Sequence, residues 1–260
     1  MRRGALETPS VQSVDRVLTI LEAVAKSPEP VALAQLTDLL GINQSSVFRL
    51  ANTLKRRGFL ANPNSRKTYV LGPAIWRMSR NYEWSGMLVG ICHEHLKALG
   101  EVTGETAHLG VREGREVLFV DHCASIKQIV VPAHTGTLMP LYCTAHGKAL
   151  LCDYGLGELR ALLGTAPLKR FTDTTITSLA ELEKACAKVR VDGYATDEAE
   201  YREEVRCLAA PIRDQDGKTI AAIGISAPAS RFPKSRVRGF AEHVRDAATQ
   251  INGALQAGSP

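Results

Sequence analysis

The chain has 260 residues, 45% of them hydrophobic, which exceeds a typical single domain and predicts two domains, one of them small. No run approaches the roughly 20 apolar residues of a membrane span, and "MRRGALETPSVQS" lacks the apolar core of a signal peptide, which predicts a cytoplasmic protein. Residues 1–80 carry twelve Lys and Arg against five Asp and Glu, net +7; residues 81–260 carry twenty against twenty-two, net −2, the pattern of a polyanion-binding head on a near-neutral body.

In the head, Val11, Val14, Leu18, Leu21 and Ala25 recur at helical spacing, with Ser10 as a candidate cap and "SPEP" at 27–30 ending the helix. A second helix over "ALAQLTDLLG" turns Leu33, Leu36 and Leu40 inward and ends at Gly41, suited to the left-handed position. Asn43 caps a third, in which Val47, Leu50, Ala51 and Leu54 form the buried face and Gln44, Ser45, Arg49, Asn52 and Arg56 lie outward or at its edge. "FLA" and "KTYVL" flank the turn signal "NPNSR" and predict a hairpin wing. Three helices and a wing make a winged helix-turn-helix, so the expected partner is double-stranded operator DNA. Arg49 and Asn52 can read guanine and adenine edges, Ser45 and Ser46 can reach a base or phosphate, and Arg66 and Lys67 can reach phosphates. A helical bundle with an ordinary charged surface is disfavoured because turn, wing and charge excess occur together.

"GPAIWRMSRNYEWSGML" leads into "ICHEHLKALGEVTG", a linker helix with Ile91, Leu96 and Leu99 inward. "ETAHLGVREGREVLFVDHC" reads as two strands about a Glu113–Gly114 turn, "TAHGKALLCDY" and "SLAELEKACAKVRVDG" as helices, and "VRCLAAPIRDQDGKTIAAIGIS" as strand, Asp-Gly turn and strand. Helices interspersed with hairpins predict an α+β sheet domain. The expected boundaries are a head over 10–72, a linker helix over 73–86 and a body over 87–255. Cys92, Cys123, Cys143, Cys152, Cys186 and Cys207 form no CxxC pair and read as reduced, buried thiols.

The motifs "SVDRVLTILEAV", "LAQLTDLLGINQSSVFRLANTLKRRGFL", "YVLGPAIW", "LMPLYCTAHGKALL", "VRVDGYATDEAE", "VRCLAAPI" and "IAAIGISAP" resemble the IclR family of bacterial transcription regulators over nearly the whole chain. The resemblance implies an N-terminal winged helix, a linking helix and a C-terminal GAF/profilin-like effector-binding domain with a central antiparallel sheet. It also implies dimers or dimer pairs on DNA, no cofactor, and affinity altered by small, often carboxylate-bearing metabolites. It places the ligand pocket at Ala145 and His146, at Asp197, at Cys207, at Gly224 and Ser226, and along an apolar lining near Met139, Val131, Val205 and Ile225. Four positions depart from the family: His146 replaces a small or aliphatic residue, Glu204 the usual glycine, Gly224 a frequent serine, and Gln128 an apolar lining residue. These departures favour a polar ligand over the simplest keto acids.

Such a ligand would set its carboxylate on the Ala145–Gly147 amides and Ser226, with Asp197 accepting from a hydroxyl and His146 changing charge near neutral pH. A small hydroxylated acid fits that mixture. Two rival readings use the same residues. Cys143 or Cys207 with His146 and Asp197 has the residue types of a nucleophile, base and orienting acid, but no nucleophile signature surrounds either cysteine. Cys143-x-x-His146 with Cys207 and Asp197 could form a zinc or thiol sensor, and "CHEH" at 92–95 is a second, weaker metal candidate on an exposed helix face. Self-association as a dimer or dimer of dimers is expected through residues 73–99, where Ile75, Trp76, Met78, Tyr82 and Trp84 supply apolar surface.

Overall fold

The computed structural model describes residues 10–63, 67–79, 83–125, 127 and 134–257. They fall into two compact units divided after Glu83. Arg66, Tyr82, Gln128 and Val131 lie outside the described residues, as do the side chains of Trp76 and Trp84.

The N-terminal unit runs α1 (Gln12–Lys26), β1 (Val31–Ala32), α2 (Leu33–Leu40), α3 (Gln44–Arg56), β2 (Leu60–Ala61), β3 (Thr68–Leu71) and α4 (Pro73–Ser79). β3 pairs antiparallel with both β2 and β1, so the expected wing hairpin gains a third short strand just before α2. The core gathers Ile20 and Val24 of α1, Leu33 and Leu36 of α2, and Val47, Ala51 and Leu54 of α3 around Tyr69. Leu40 and Leu50, expected inward, are half-buried at its margin.

The stripe expected to bury α1 is the wrong one. Val11, Val14 and Leu18 are 62%, 52% and 50% exposed and Ala25 is exposed too, whereas Ile20 and Val24 pack, with Val17 and Leu21 beside them. α1 carries two overlapping apolar stripes of the same period, and contact with α2 and α3 selects between them. Nor does Ser10 cap that helix: its hydroxyl donates to the Asp15 carboxylate, and the N-cap position is Val11. Asn43 does cap α3, its Oδ1 accepting from the Ser46 amide at 2.9 Å.

The C-terminal unit contains α5 (Glu83–Thr103), β4 (Thr106–Glu113), β5 (Glu116–Cys123), β6 (Leu138–Pro140), α6 (Ala145–Leu150), α7 (Leu156–Leu163), α8 (Leu179–Asp192), β7 (Ala195–Glu198), β8 (Val205–Arg213), β9 (Thr219–Pro228) and α9 (Lys234–Ala257). Of the linker helix expected over 73–86, residues 73–79 are helical as α4 and residues 83–86 as the start of α5, which runs on through "ICHEHLKALGEVTG"; residues 80–82 lie outside the described residues. Among the described residues the strands form one antiparallel sheet in the order β6-β5-β4-β9-β8-β7. Period-two alternation sorts its side chains between two cores. Leu109, Ile223 and Ile225 pack with Leu96, Leu99 and Val244 of α5 and α9, while Phe119, Ala209 and Ala222 pack with Leu150, Leu159 and Leu182 of α6 to α8.

Two glycines permit close backbone approaches on the second face. A Cβ at Gly147 would stand 1.9 Å from the Leu141 carbonyl oxygen, and one at Gly224 2.1 Å from that of Leu208. Helix α6 therefore lies tight on the chain that leads into it, and β9 tight on β8.

Candidate functional site

In the N-terminal unit, α3 presents Gln44, Ser45, Arg49, Asn52 and Arg56 to solvent, with Ser46 half-exposed; Lys67 at the base of the wing is also exposed. Ser45 Oγ donates to Asn43 Oδ1 at 2.7 Å, which fixes the hydroxyl at the start of the helix. A polar groove between α1 and α3 is lined by Ser13 and Arg16 together with Ser46, Arg49 and Thr53. Arg16 thus stands beside Arg49 as a second basic residue that the sequence reading, following only the apolar spacing of α1, passed over.

In the C-terminal unit a concavity enclosing about 450 Å³, part of it open to solvent, lies over the α6 face of the sheet. Its lining joins Met139, Ala145, His146, Asp197, Val205, Cys207 and Ser226, seven of the expected residues, with Phe119, Thr144, Tyr201 and Arg202. Pairing explains the grouping: Ser226 lies opposite Thr106 on β4 and Cys207 on β8, and Cys207 opposite Asp197 on β7. Cross-strand partners share a face, so Ser226, Cys207 and Asp197 form a polar row in an otherwise apolar hollow. Cys207 Sγ and Ser226 Oγ are 3.2 Å apart, and Cys207 also hydrogen-bonds Asp197.

Asp197 Oδ1 accepts from the Glu200 amide at 2.7 Å. Burial pushes its carboxyl up to about 7, against the pull of nearby Lys148, so it is close to half-protonated at neutral pH. Lys148 in turn is buried in an ion pair with Glu200, whose second carboxylate oxygen has no hydrogen-bond partner among the described residues.

Three expectations about this cavity are corrected. Gly224 and Ile225 do not line it. Gly224 is held by the approach to β8, and Ile225, one residue before Ser226, points by strand alternation into the core under α5 and α9. His146 does not titrate near neutrality: burial lowers it to about 4, and its Nε2 donates to the His108 carbonyl at 3.1 Å. The neutral ring therefore has Nδ1 as an acceptor and supplies no positive charge. The Gly147 amide donates to Thr144 Oγ1 at 3.1 Å, so the expected anion nest shrinks to the amides of Ala145 and His146, which precede the first intrahelical bond.

Burial pushes the Cys143 thiol up to about 12 and holds that of Cys207 well above its ordinary value, the reverse of an activated nucleophile. Among the described residues no group of three or more His, Cys, Asp or Glu side chains is placed to hold a metal ion. "CHEH" is split: Cys92 is buried, His93 Nδ1 pairs with Asp121 at 2.8 Å, and His95 meets Gln250.

Residues missed in the lining differ in how readable they were. Phe119 was legible, since it shares its strand parity with Val117 on β5, and both pack toward α6. Tyr201 and Arg202 were not, because they stand on the irregular loop between β7 and β8, where no period applies.

Residues 85–253 match the family described as bacterial transcriptional regulator IclR C-terminal, and residues 13–63 match the IclR helix-turn-helix domain. The HTH-type transcriptional regulator BhcR of Paracoccus denitrificans (strain Pd 1222) is 32% identical over 249 residues, 96% of this chain and 89% of that protein. The Thermotoga maritima IclR structure superposes with a TM-score of 0.73 at 26% identity, covering 94% of this chain and 98% of that one. An IclR homologue of Microbacterium hydrocarbonoxydans, solved with 4-hydroxybenzoate, shares the fold with a TM-score of 0.83 at 22% identity, over 95% and 100% of the two chains. The chain belongs to the IclR family and is a transcriptional regulator with an N-terminal helix-turn-helix domain and a C-terminal effector domain.

Proposed function

We propose that this regulator reads operator DNA with the exposed face of α3 and that a small hydroxylated carboxylic acid in the cavity alters its operator affinity. The polar row of Ser226, Cys207 and Asp197 inside an apolar wall of Phe119, Met139 and Val205 carries the effector half of this reading. A wall of that kind takes a hydrocarbon or aromatic body, and the row takes a hydroxyl. The half-protonated Asp197 can either donate to or accept from that hydroxyl. The Microbacterium homologue was solved with an acid of this class, 4-hydroxybenzoate.

For DNA, Arg49 and Asn52 face the bases, while Gln44, Ser45, Ser46, Arg56, Arg66 and Lys67 serve the backbone or flanking edges. We assign residues 10–72 to the DNA-binding domain, 73–86 to the linker and 87–255 to the effector domain, the protein acting in the cytoplasm. One head reads few base pairs, so the working form is a homodimer or dimer of dimers on a pseudo-palindrome. Exposed Met78 and half-buried Ile75 on α4 contribute to the partner surface.

The test starts from an operator selected from random duplexes. Arg49→Ala should weaken that operator by about 1–3 kcal/mol and relax preference at one position, while Lys67→Ala should weaken all duplexes alike and lessen the salt slope. Equal losses on operator and random DNA for Arg49→Ala would remove Arg49 from base reading. The effector half is tested by adding hydroxylated acids to the same operator titration.

A further inference from the structure

The loop from Glu198 to Glu204, joining β7 to β8, is tied at most of its residues. Thr174 Oγ1 donates to the carbonyls of Glu198 and Ala199 at 3.1 and 2.8 Å, Thr172 Oγ1 to that of Ala199 at 2.7 Å, and Thr175 Oγ1 to that of Glu200 at 2.6 Å. Ala199 itself sits at φ 63°, a left-handed conformation that a residue with a side chain keeps only when its surroundings impose it. Glu200 is fixed twice, by its amide on Asp197 and its carboxylate on Lys148. The Tyr201 ring packs edge-on against Phe171 at 4.9 Å, and the Glu204 carbonyl accepts from the Ala229 amide at 2.7 Å.

This strained, over-determined loop hangs Arg202 at the cavity. Its guanidinium carbon lies 5.9 Å from the Tyr201 ring centre. Among the described lining residues Arg202 is the only Lys or Arg, and nearby Lys148 is engaged by Glu200. The remaining polar lining groups, on Thr144, His146, Asp197, Cys207 and Ser226, offer hydrogen bonds but no fixed positive charge. Thr144 is already committed, donating to Pro140 and accepting from Gly147.

We propose that Arg202 recognises the effector's carboxylate, so that the ligand lies with its anionic end at the β7–β8 loop and its hydroxyl on the row of Ser226, Cys207 and Asp197. This rests on the cavity being the effector site. A guanidinium backed by an aromatic ring presents a planar fork that fits a carboxylate with two parallel hydrogen bonds. The opposite orientation would press the carboxylate against Asp197 and leave the charge of Arg202 unused. The rigid backbone on either side means that little order need be imposed on the loop when the acid binds.

The test is calorimetric titration of the full chain with matched acids and carboxamides: 4-hydroxybenzoate and 4-hydroxybenzamide, benzoate and benzamide, lactate and lactamide. At least one acid should bind, and more tightly than its amide. Arg202→Gln should weaken that acid about tenfold or more while changing the amide less than about twofold, and Arg202→Lys should recover part of the loss. Because Arg202 is exposed, its variants should melt with the parent chain. An undiminished preference for acid over amide in Arg202→Gln overturns the assignment and leaves the effector reading standing. Failure of every acid to bind the parent chain overturns both.

Discussion

Replacing Lys148 by methionine should destabilise the C-terminal unit by about 3–5 kcal/mol, the cost of leaving a buried carboxylate without its counter-ion. Lys148 and Glu200 are 3% and 5% exposed, and among the described residues no second donor reaches the other oxygen of Glu200, so the lost charge is not replaced by a neighbour. The pair bridges α6 to the loop between β7 and β8, and Asp197 stands beside it. Removing the cation therefore also withdraws a positive charge that favours ionised Asp197. Replacing both partners, as Lys148→Met with Glu200→Leu, should restore most of the stability, because well-packed apolar groups substitute for a buried pair at little cost. Urea unfolding followed by backbone circular dichroism measures both. A single variant that loses less than about 1 kcal/mol would mean that the pair is open to water and behaves as a surface contact.

The helices of the head and four strands of the body, β4, β5, β8 and β9, were legible for the same reason: their signals are local, whereas β1, β6 and β7 are too short to carry one. Asn43 before an apolar run, Gly41 after one, and Asp-Gly or Glu-Gly between alternating segments each specify backbone geometry within a few residues. Helix α9 was equally open to reading, since Phe240, Val244 and Ile251 recur on one face, yet the sequence reading passed it over. The choice between apolar stripes on α1 was not local, because both have helical period and only packing decides. The cavity followed the same division. Asp197, Cys207 and Ser226 were placed by the family resemblance; strand register supplies the reason they share one face, and Ile225, one step off that alternation, faces the other core. The state of His146 depended on a carbonyl 38 residues away, and Arg202 on three threonines of a distant loop, contacts that no spacing encodes.

Two titratable groups of the cavity, Asp197 and His146, should impose opposing pH dependences on stability, separable by substitution. Asp197 holds its proton up to about pH 7 in the fold against an ordinary 3.8, so its contribution is full below about pH 4 and is lost as pH rises through 7, by up to about 4 kcal/mol. His146 has its folded pKa lowered to about 4 from 6.5. Its contribution is present above pH 6.5 and is lost as pH falls through 4, by up to about 3 kcal/mol. Between those limits the unfolded chain takes up a proton at His146 while giving one up at Asp197, and the two slopes nearly cancel. Asp197→Asn, which keeps the acceptor for the Glu200 amide, should expose the histidine slope. Relative to the parent chain, the variant should gain stability steadily from about pH 4.5 to 7.5. His146→Leu should do the reverse, its stability relative to the parent falling as pH rises from about 4 to 6.5. Comparing each variant with the parent at the same pH removes the titration of every other group that the substitution leaves alone. Unfolding free energies from urea at four pH values across that range suffice. A difference between Asp197→Asn and the parent that stays constant with pH would show that Asp197 is ionised in the fold at little cost. It would then meet a ligand hydroxyl only as an acceptor, and could not donate to one.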